Sequence, residues 1–242
     1  MKLREIFANL KHECRKVEHY FPLYERHLIQ FIGRAPRILE VGVQYGGSAE
    51  MWRKWFGPGT IIDGVDINPM CEETDYLKLY VGNQGSADFW KSAFGDRSNY
   101  YDIIIDDGSH DNPHQITTLI QTYGMLKDGG VFWCEDTHTS YYHEVRVCDG
   151  GYGNPNSFTS FSKHMIDVLN AHHTYNAIGV GNTPDGPHVP QILVNAFGRM
   201  QGIHFYDSVV VMEKGERLDF NEIIHVPTRP ASNSKLLNSV EL

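Results

Sequence analysis

The sequence predicts an α/β protein built on a doubly wound, mostly parallel sheet, and three observations carry that expectation. Short apolar runs alternate with segments of helical period along most of the chain. The runs end in glycine or Asp-Gly turns that open the next helix, as strands do in a sheet covered on both faces. Near the end, residues 203–212 (IHFYDSVVVM) form two short apolar runs around Asp207-Ser208, which predicts an antiparallel C-terminal hairpin strand.

The elements follow in order. Residues 38–41 predict a strand ending at Gly42, then a helix through Trp52, Trp55 and Phe56 that Gly57-Pro58-Gly59 stops. Strands are predicted at 61–67 and 77–81, with a helix over 87–94. Residues 102–105 predict a fourth strand, followed by a helix over about 113–126. Lys127-Asp128-Gly129-Gly130 predicts a turn into a fifth strand at 131–134, and 158–170 predicts another helix. No linker or repeat divides the chain. One domain is expected: a helical cover over 1–33, a core over 34–218, and a polar tail over 219–242.

Composition narrows the function. A net charge of −9 leaves no basic surface for a phosphate backbone, so nucleic acid is not an expected partner. No apolar run reaches the length of a membrane span, and the first residues lack a leader's apolar core, so a cytoplasmic protein is expected. Cys14, Cys71, Cys134 and Cys148 show no metal-type spacing and are expected to be free thiols.

Chemistry gathers at the strand ends. The stretch EVGVQYGGS (40–48) follows the first strand and opens a helix, and its glycines admit a ligand close to the backbone. Asp66 ends the second strand, where a carboxylate meets ribose hydroxyls. The glycines lack the GxGxxG spacing of dinucleotide sites, so a ligand carrying adenosine without a pyrophosphate fits better. Gln84, in VGNQGS after the third strand, lies where an adenine ring would rest.

The fourth and fifth strands end in IDDGSH and EDTHTSYY, so Asp106, Asp107, His110, Glu135 and Asp136 reach the same edge. Neighbouring strands lie about 4.8 Å apart, and carboxylates that close favour a shared hard cation: magnesium, manganese or calcium rather than zinc. Each pair has a plainer reading, since Asp-Gly-Ser is ordinary turn chemistry and Glu-Asp suits an exposed loop. Nothing in the sequence fixes the geometry of His114, His138 or His143.

Taken together, HYFPLYERHL, ILEVGVQYGGSAEMW, FGPGTIIDGVDINP, VGNQGS, IDDGSH, EDTHTSYY and IHFYDSVVVMEK resemble the class I S-adenosylmethionine-dependent methyltransferases. The sequence looks most like the metal-dependent sugar O-methyltransferases of the demethylmacrocin O-methyltransferase type and the cephalosporin hydroxylase-like family. The resemblance runs from about residue 19 to 214 and implies a Rossmann-like methyltransferase sheet. It implies that Glu40, Gly42, Gly46, Gly47 and Ser48 line the methionine part of S-adenosylmethionine, that Asp66 holds its ribose, and that Gln84 flanks its adenine with Asp106 nearby. Tyr20 and Tyr24 would cover the cofactor. Asp107 and Asp136, helped by Glu135, would bind Mg²⁺ (or Mn²⁺), with Asp107 part of the catalytic group and His110 the general base.

The macrolide enzymes carry a further N-terminal domain with one more acidic ligand, which Glu135 or water would replace here. The implied substrate is a sugar-bearing small molecule or glycan. Residues 181–190 are expected to shape its pocket, and self-association is expected from family habit. Alternatives are a non-sugar hydroxyl acceptor, a nicotinamide-dependent oxidoreductase, and a non-catalytic cofactor-binding subunit.

Overall fold

A computed structural model describes residues 2–143, 148–171 and 189–216. Among the described residues, seven strands form one sheet in the order β3-β2-β1-β4-β5-β7-β6. They are β1 (Arg37–Val41), β2 (Ile61–Asp66), β3 (Leu77–Val81), β4 (Tyr101–Asp106), β5 (Leu126–Cys134), β6 (Met200–Tyr206) and β7 (Val209–Lys214). The first five are parallel, and β7 runs antiparallel between β5 and β6, closing the sheet with the expected hairpin.

Strand β4 shows why its apolar run is nearly continuous. Ile103 and Ile105 face a core with α2 (Phe21–Leu28) and α3 (Gly47–Phe56), where Tyr24, Trp52 and Trp133 pack. Ile104 faces the opposite core with α4 (Ala87–Phe94), α5 (Asn112–Thr122) and α6 (Phe158–Asn170), built around Trp90, Leu119 and Phe132. A strand buried on both faces has no polar alternation to keep.

The order reverses between β1 and β4, and doubly wound sheets bind ligands at such a switch point. Val41 pairs with Asp106, and Asp106 with Cys134, so Asp107 and Glu135 are the first residues beyond this edge. The Asp107 amide continues the pairing to the Val41 carbonyl at 3.0 Å, and the Glu135 amide to that of Asp106 at 2.9 Å.

Three expectations need correction. The helical cover breaks after α1 (Leu3–Phe7): residues 10–17 are not helical, and α2 starts only after a turn over Glu18–Tyr20. Glu50 on α3 accepts the amides of Lys11 and His12 at 3.0 and 3.1 Å, which lays this arm across the start of α3. Strand β5 begins at Leu126 rather than 131. Leu126 pairs with Tyr101 and Val131 with Ile103, so the expected turn is a bulge within the strand, with Gly129 at φ 79°. The preceding helix correspondingly ends at Thr122, and α7 (Gln191–Phe197) was not anticipated. The tail and residues 181–188 lie outside the described residues. No helix of the described residues is long and apolar enough to cross a membrane.

Candidate active site

The turn from β1 to α3 packs directly on the end of β4. Gly42 sits at φ 89°, and a Cβ there would meet the Asp107 carbonyl oxygen at 1.9 Å, so no other residue fits without moving that strand end. Asp66 closes the turn from the next strand: its Oδ2 accepts the Gln44 amide at 2.9 Å and its Oδ1 the Asn68 amide at 2.8 Å. These elements wall a cavity of about 610 Å³, whose lining includes Gly42, Asp66, Asn83, Asp107, His110 and Asp136.

Asp107, His110 and Asp136 converge, one ligand atom from each lying within 4.8 Å of the others. His110 Nε2 is 3.2 Å from Asp136 Oδ2, while its Nδ1 is buried without a hydrogen-bond partner among the described residues. His110 and Asp136 both hold positive φ, 57° and 53°. Two non-glycine residues in a sparsely populated conformation at one point of the cavity mark a place where geometry is imposed.

A cation already sits beside this group. Lys16, on the arm before α2, is buried, and its Nζ lies 2.5 Å from Asp107 Oδ2 and 3.1 Å from both oxygens of Glu135. Burial alone would lower its pKa, but Asp107 and Glu135 outweigh that and hold it charged above the usual lysine range. Burial raises both carboxyls, with Lys16 pulling back. Lys16→Met is expected to destabilise the fold by about 3–5 kcal/mol, because it strands two buried carboxyls. Chemical denaturation should show the deficit shrinking as the pH falls and those groups take up protons; an unchanged midpoint would refute the pairing.

The carboxylate pairs therefore divide between two tasks. Glu135, expected to help bind the metal, turns away from the cavity: Tyr24 Oη donates to its Oε1 at 2.5 Å and Lys16 occupies both oxygens. Asp106 is fully buried on the far side of the pleat, accepting from the Gln84 amide at 3.0 Å and the Gly108 amide at 3.3 Å. Burial raises it to about 6, partly offset by Gln84. Gln84 borders the cavity, but its side chain is spent internally, on Asp106, Thr118 and the Ser109 amide. Tyr20 and Tyr24, expected over the cofactor, lie buried beneath the acids; Tyr20 Oη donates to Asp136 Oδ1 at 2.6 Å.

Ser48 lines the cavity, whereas Gly46 and Gly47 stand one layer back, Gly46 against Cys71 and Gly47 against the Glu13 carbonyl. Glu40 is also behind the wall, with Trp52 Nε1 donating to its Oε1 at 3.0 Å. Burial raises it from 4.5 to about 7, against Lys16 and Trp52. A carboxyl with a higher pKa folded than unfolded favours the fold most in acid, and that contribution fades as the pH rises from 4.5 to about 7. The fading is worth about 3 kcal/mol. Glu40→Gln should gain stability relative to the parent between pH 5 and 8; parallel pH profiles would show that Glu40 titrates normally.

Sequence reasoning missed Lys16 and with it the arm's approach to the cavity, since nothing in RKVEHY marks a lysine as buried. All four cysteines are free as expected; Cys14 lines the cavity, and burial pushes it up to about 12, which leaves an inert thiol. The residues present fit a divalent cation. Asp107 and Glu135 share one ammonium while Asp136 stands beside Asp107 on Tyr20 and His110, so when all three acids are ionised two negative charges remain.

Strand order and cavity give the chain the Rossmann-like fold of the class I methyltransferases. Within that class it resembles the metal-dependent sugar O-methyltransferases. It is 30% identical over 206 residues to mycinamicin VI 2''-O-methyltransferase of Micromonospora griseorubida, covering 81% of this chain and 48% of that protein. It is 30% identical over 210 residues to demethylmacrocin O-methyltransferase of Streptomyces fradiae, covering 81% and 49%. The chain thus spans about half the length of these relatives. The solved MycE methyltransferase of the mycinamycin biosynthetic pathway, in complex with Mg, SAH and mycinamycin VI, matches with a TM-score of 0.70 and 25% identity. That match covers 89% of this chain and 54% of the other. No protein-family model matches the chain.

Proposed function

We propose that the protein is an S-adenosylmethionine- and magnesium-dependent O-methyltransferase acting on a sugar hydroxyl of a glycosylated small molecule. The observation that carries this reading is the single cavity in which the glycine turn and Asp66 stand on one side and Asp107, His110 and Asp136 on the other. The relatives' named sugar acceptors, and the Mg and SAH of the MycE complex, supply the chemical class of what such a cavity receives.

Gly42, the Gln44–Asp66 junction and Asn83 would hold the cofactor; Asp107 and Asp136 would hold the metal. The bound groups supply an activated methyl and a lowered pKa for the acceptor hydroxyl. The chain supplies the rest. His110 would take the hydroxyl proton, and Asp136 Oδ2, 3.2 Å from its Nε2, would stabilise the imidazolium that results. Tyr20 anchors the other oxygen of Asp136, so that carboxylate cannot rotate away from the ring. Lys16 pins Asp107 from behind, so both carboxylates that would hold the metal are fixed in place beside His110.

Transfer of labelled methyl from S-adenosylmethionine to a panel of glycosides tests the reading; transfer to aglycones alone would favour a non-sugar acceptor. Calorimetry tests the cofactor half separately. Asp66→Ala should weaken S-adenosylhomocysteine by ~1.5–3 kcal/mol, the scale of hydrogen bonds to a charged group, and nicotinamide dinucleotide should not bind. Tight nicotinamide binding would overturn the assignment.

A further inference from the structure

We propose that the protein carries a second cation site, for a zinc-type divalent ion, made by His27 of α2, His204 of β6 and Glu213 of β7. None of these residues lines the cavity. One ligand atom from each lies within 4.8 Å of the others. His27 Nδ1 stands 3.2 Å from Glu213 Oε1, and His204 Nε2 stands 3.5 Å from Glu213 Oε2. Zinc holds nitrogen and oxygen donors at about 2.0–2.2 Å, which sets the donors of a tetrahedral ion roughly 3.4 Å apart. The two nitrogen–oxygen spacings, one to each Glu213 oxygen, lie close to that value, and the three donor atoms, one per residue, all lie within 4.8 Å of one another.

Three further features point to a ligand rather than to a hydrogen-bonded cluster. His204 Nε2 is a buried nitrogen with no hydrogen-bond partner among the described residues, although it sits beside a carboxylate. The other ring nitrogen of His27 pairs with Tyr206 Oη at 2.8 Å, the kind of outer partner that fixes the ring of a metal-binding histidine. Arg26 reaches the same hydroxyl from outside at 3.4 Å. Residue 202, opposite Glu213 in the hairpin, is glycine; a Cβ there would stand 3.3 Å from Glu213 Oε2 and 3.4 Å from His204 Nε2. The glycine leaves open the space beside both donors.

Two imidazoles and one carboxylate are the ligand set of a three-residue zinc site with water in the fourth position. The side chains of His204 and Glu213 are partly exposed, so water reaches the rim of the cluster, while His27 is fixed in the core. An ion here would clamp α2 to the β6–β7 hairpin. That helix carries Tyr24, which holds Glu135, so the clamp would brace one support of the active site.

The test uses the full chain stripped of metal, with magnesium in excess to occupy the Asp107–Asp136 site. Cobalt serves as a coloured stand-in for zinc. The parent should bind one equivalent with the visible spectrum of a four-coordinate ion, and zinc should displace it. Tyr206→Phe should weaken binding by ~10–100-fold, and His204→Gln by at least as much. Gly202→Ala, which keeps all three ligands, should also weaken it. No cobalt bound by the parent, or undiminished binding by a folded His204→Gln protein, would overturn the proposal.

Discussion

Asp136→Ala is expected to lower methyl transfer by on the order of 10³-fold or more, the consequence of losing several kcal/mol of metal-derived stabilisation. Asp107→Ala should match it. Calorimetry should find S-adenosylhomocysteine affinity nearly unchanged in both, because the glycine turn and Asp66 stand on the other wall of the cavity. Added magnesium should restore part of the Asp136→Ala rate, since the variant keeps Asp107 but loses the ligand that Tyr20 orients. The two variants should differ in stability. Asp107→Ala also removes a partner of Lys16, whereas Asp136→Ala leaves the buried Lys16–Glu135 pair intact. Equal activity of parent and Asp136→Ala on one acceptor would remove the metal from the account.

His110→Ala should behave differently. Metal binding persists through Asp107 and Asp136, but turnover falls by ~10²–10⁴-fold, the usual worth of a positioned general base. The residual rate should rise with pH as hydroxide takes over the proton, and a pH–rate profile on the variant reads this directly. The fall should appear in kcat more than in cofactor binding. Full activity in His110→Ala would transfer the base to another group. Asp106, its neighbour in sequence, is a poor replacement, being fully buried and committed to Gln84 and Gly108.

How far the sequence could be read depended on the range of the interactions involved. Strands such as β4 were legible because a run buried on both faces needs no partner to be recognised, and its Asp-Gly ending marks the exit. Asp107, His110 and Asp136 were legible for a related reason: parallel strands deliver their ends to one edge whatever their order. The division of Glu135 from Asp136 was not. Asp106 and Asp107 part by the alternation of the pleat, but Glu135 and Asp136 lie just beyond the strand, where one faces the protein and the other the cavity and only the packing around them decides which. Lys16 lies 91 residues from Asp107 and 119 from Glu135, and no local pattern reports a contact of that span. Tyr20 and Tyr24 were found as aromatics of interest, but what their hydroxyls hold depends on where α2 docks. The bulge in β5 shows the converse case, where true turn residues were absorbed by a strand strong enough on both sides.

If a cation held by Asp107 and Asp136 prepares a sugar hydroxyl for methylation, labelled-methyl transfer to one confirmed glycoside must depend on it, measured in excess chelator and again after magnesium is restored. Transfer should stop with chelator and recover with magnesium or manganese, with cofactor affinity unaltered throughout. Undiminished transfer in excess chelator would contradict that role of the cation.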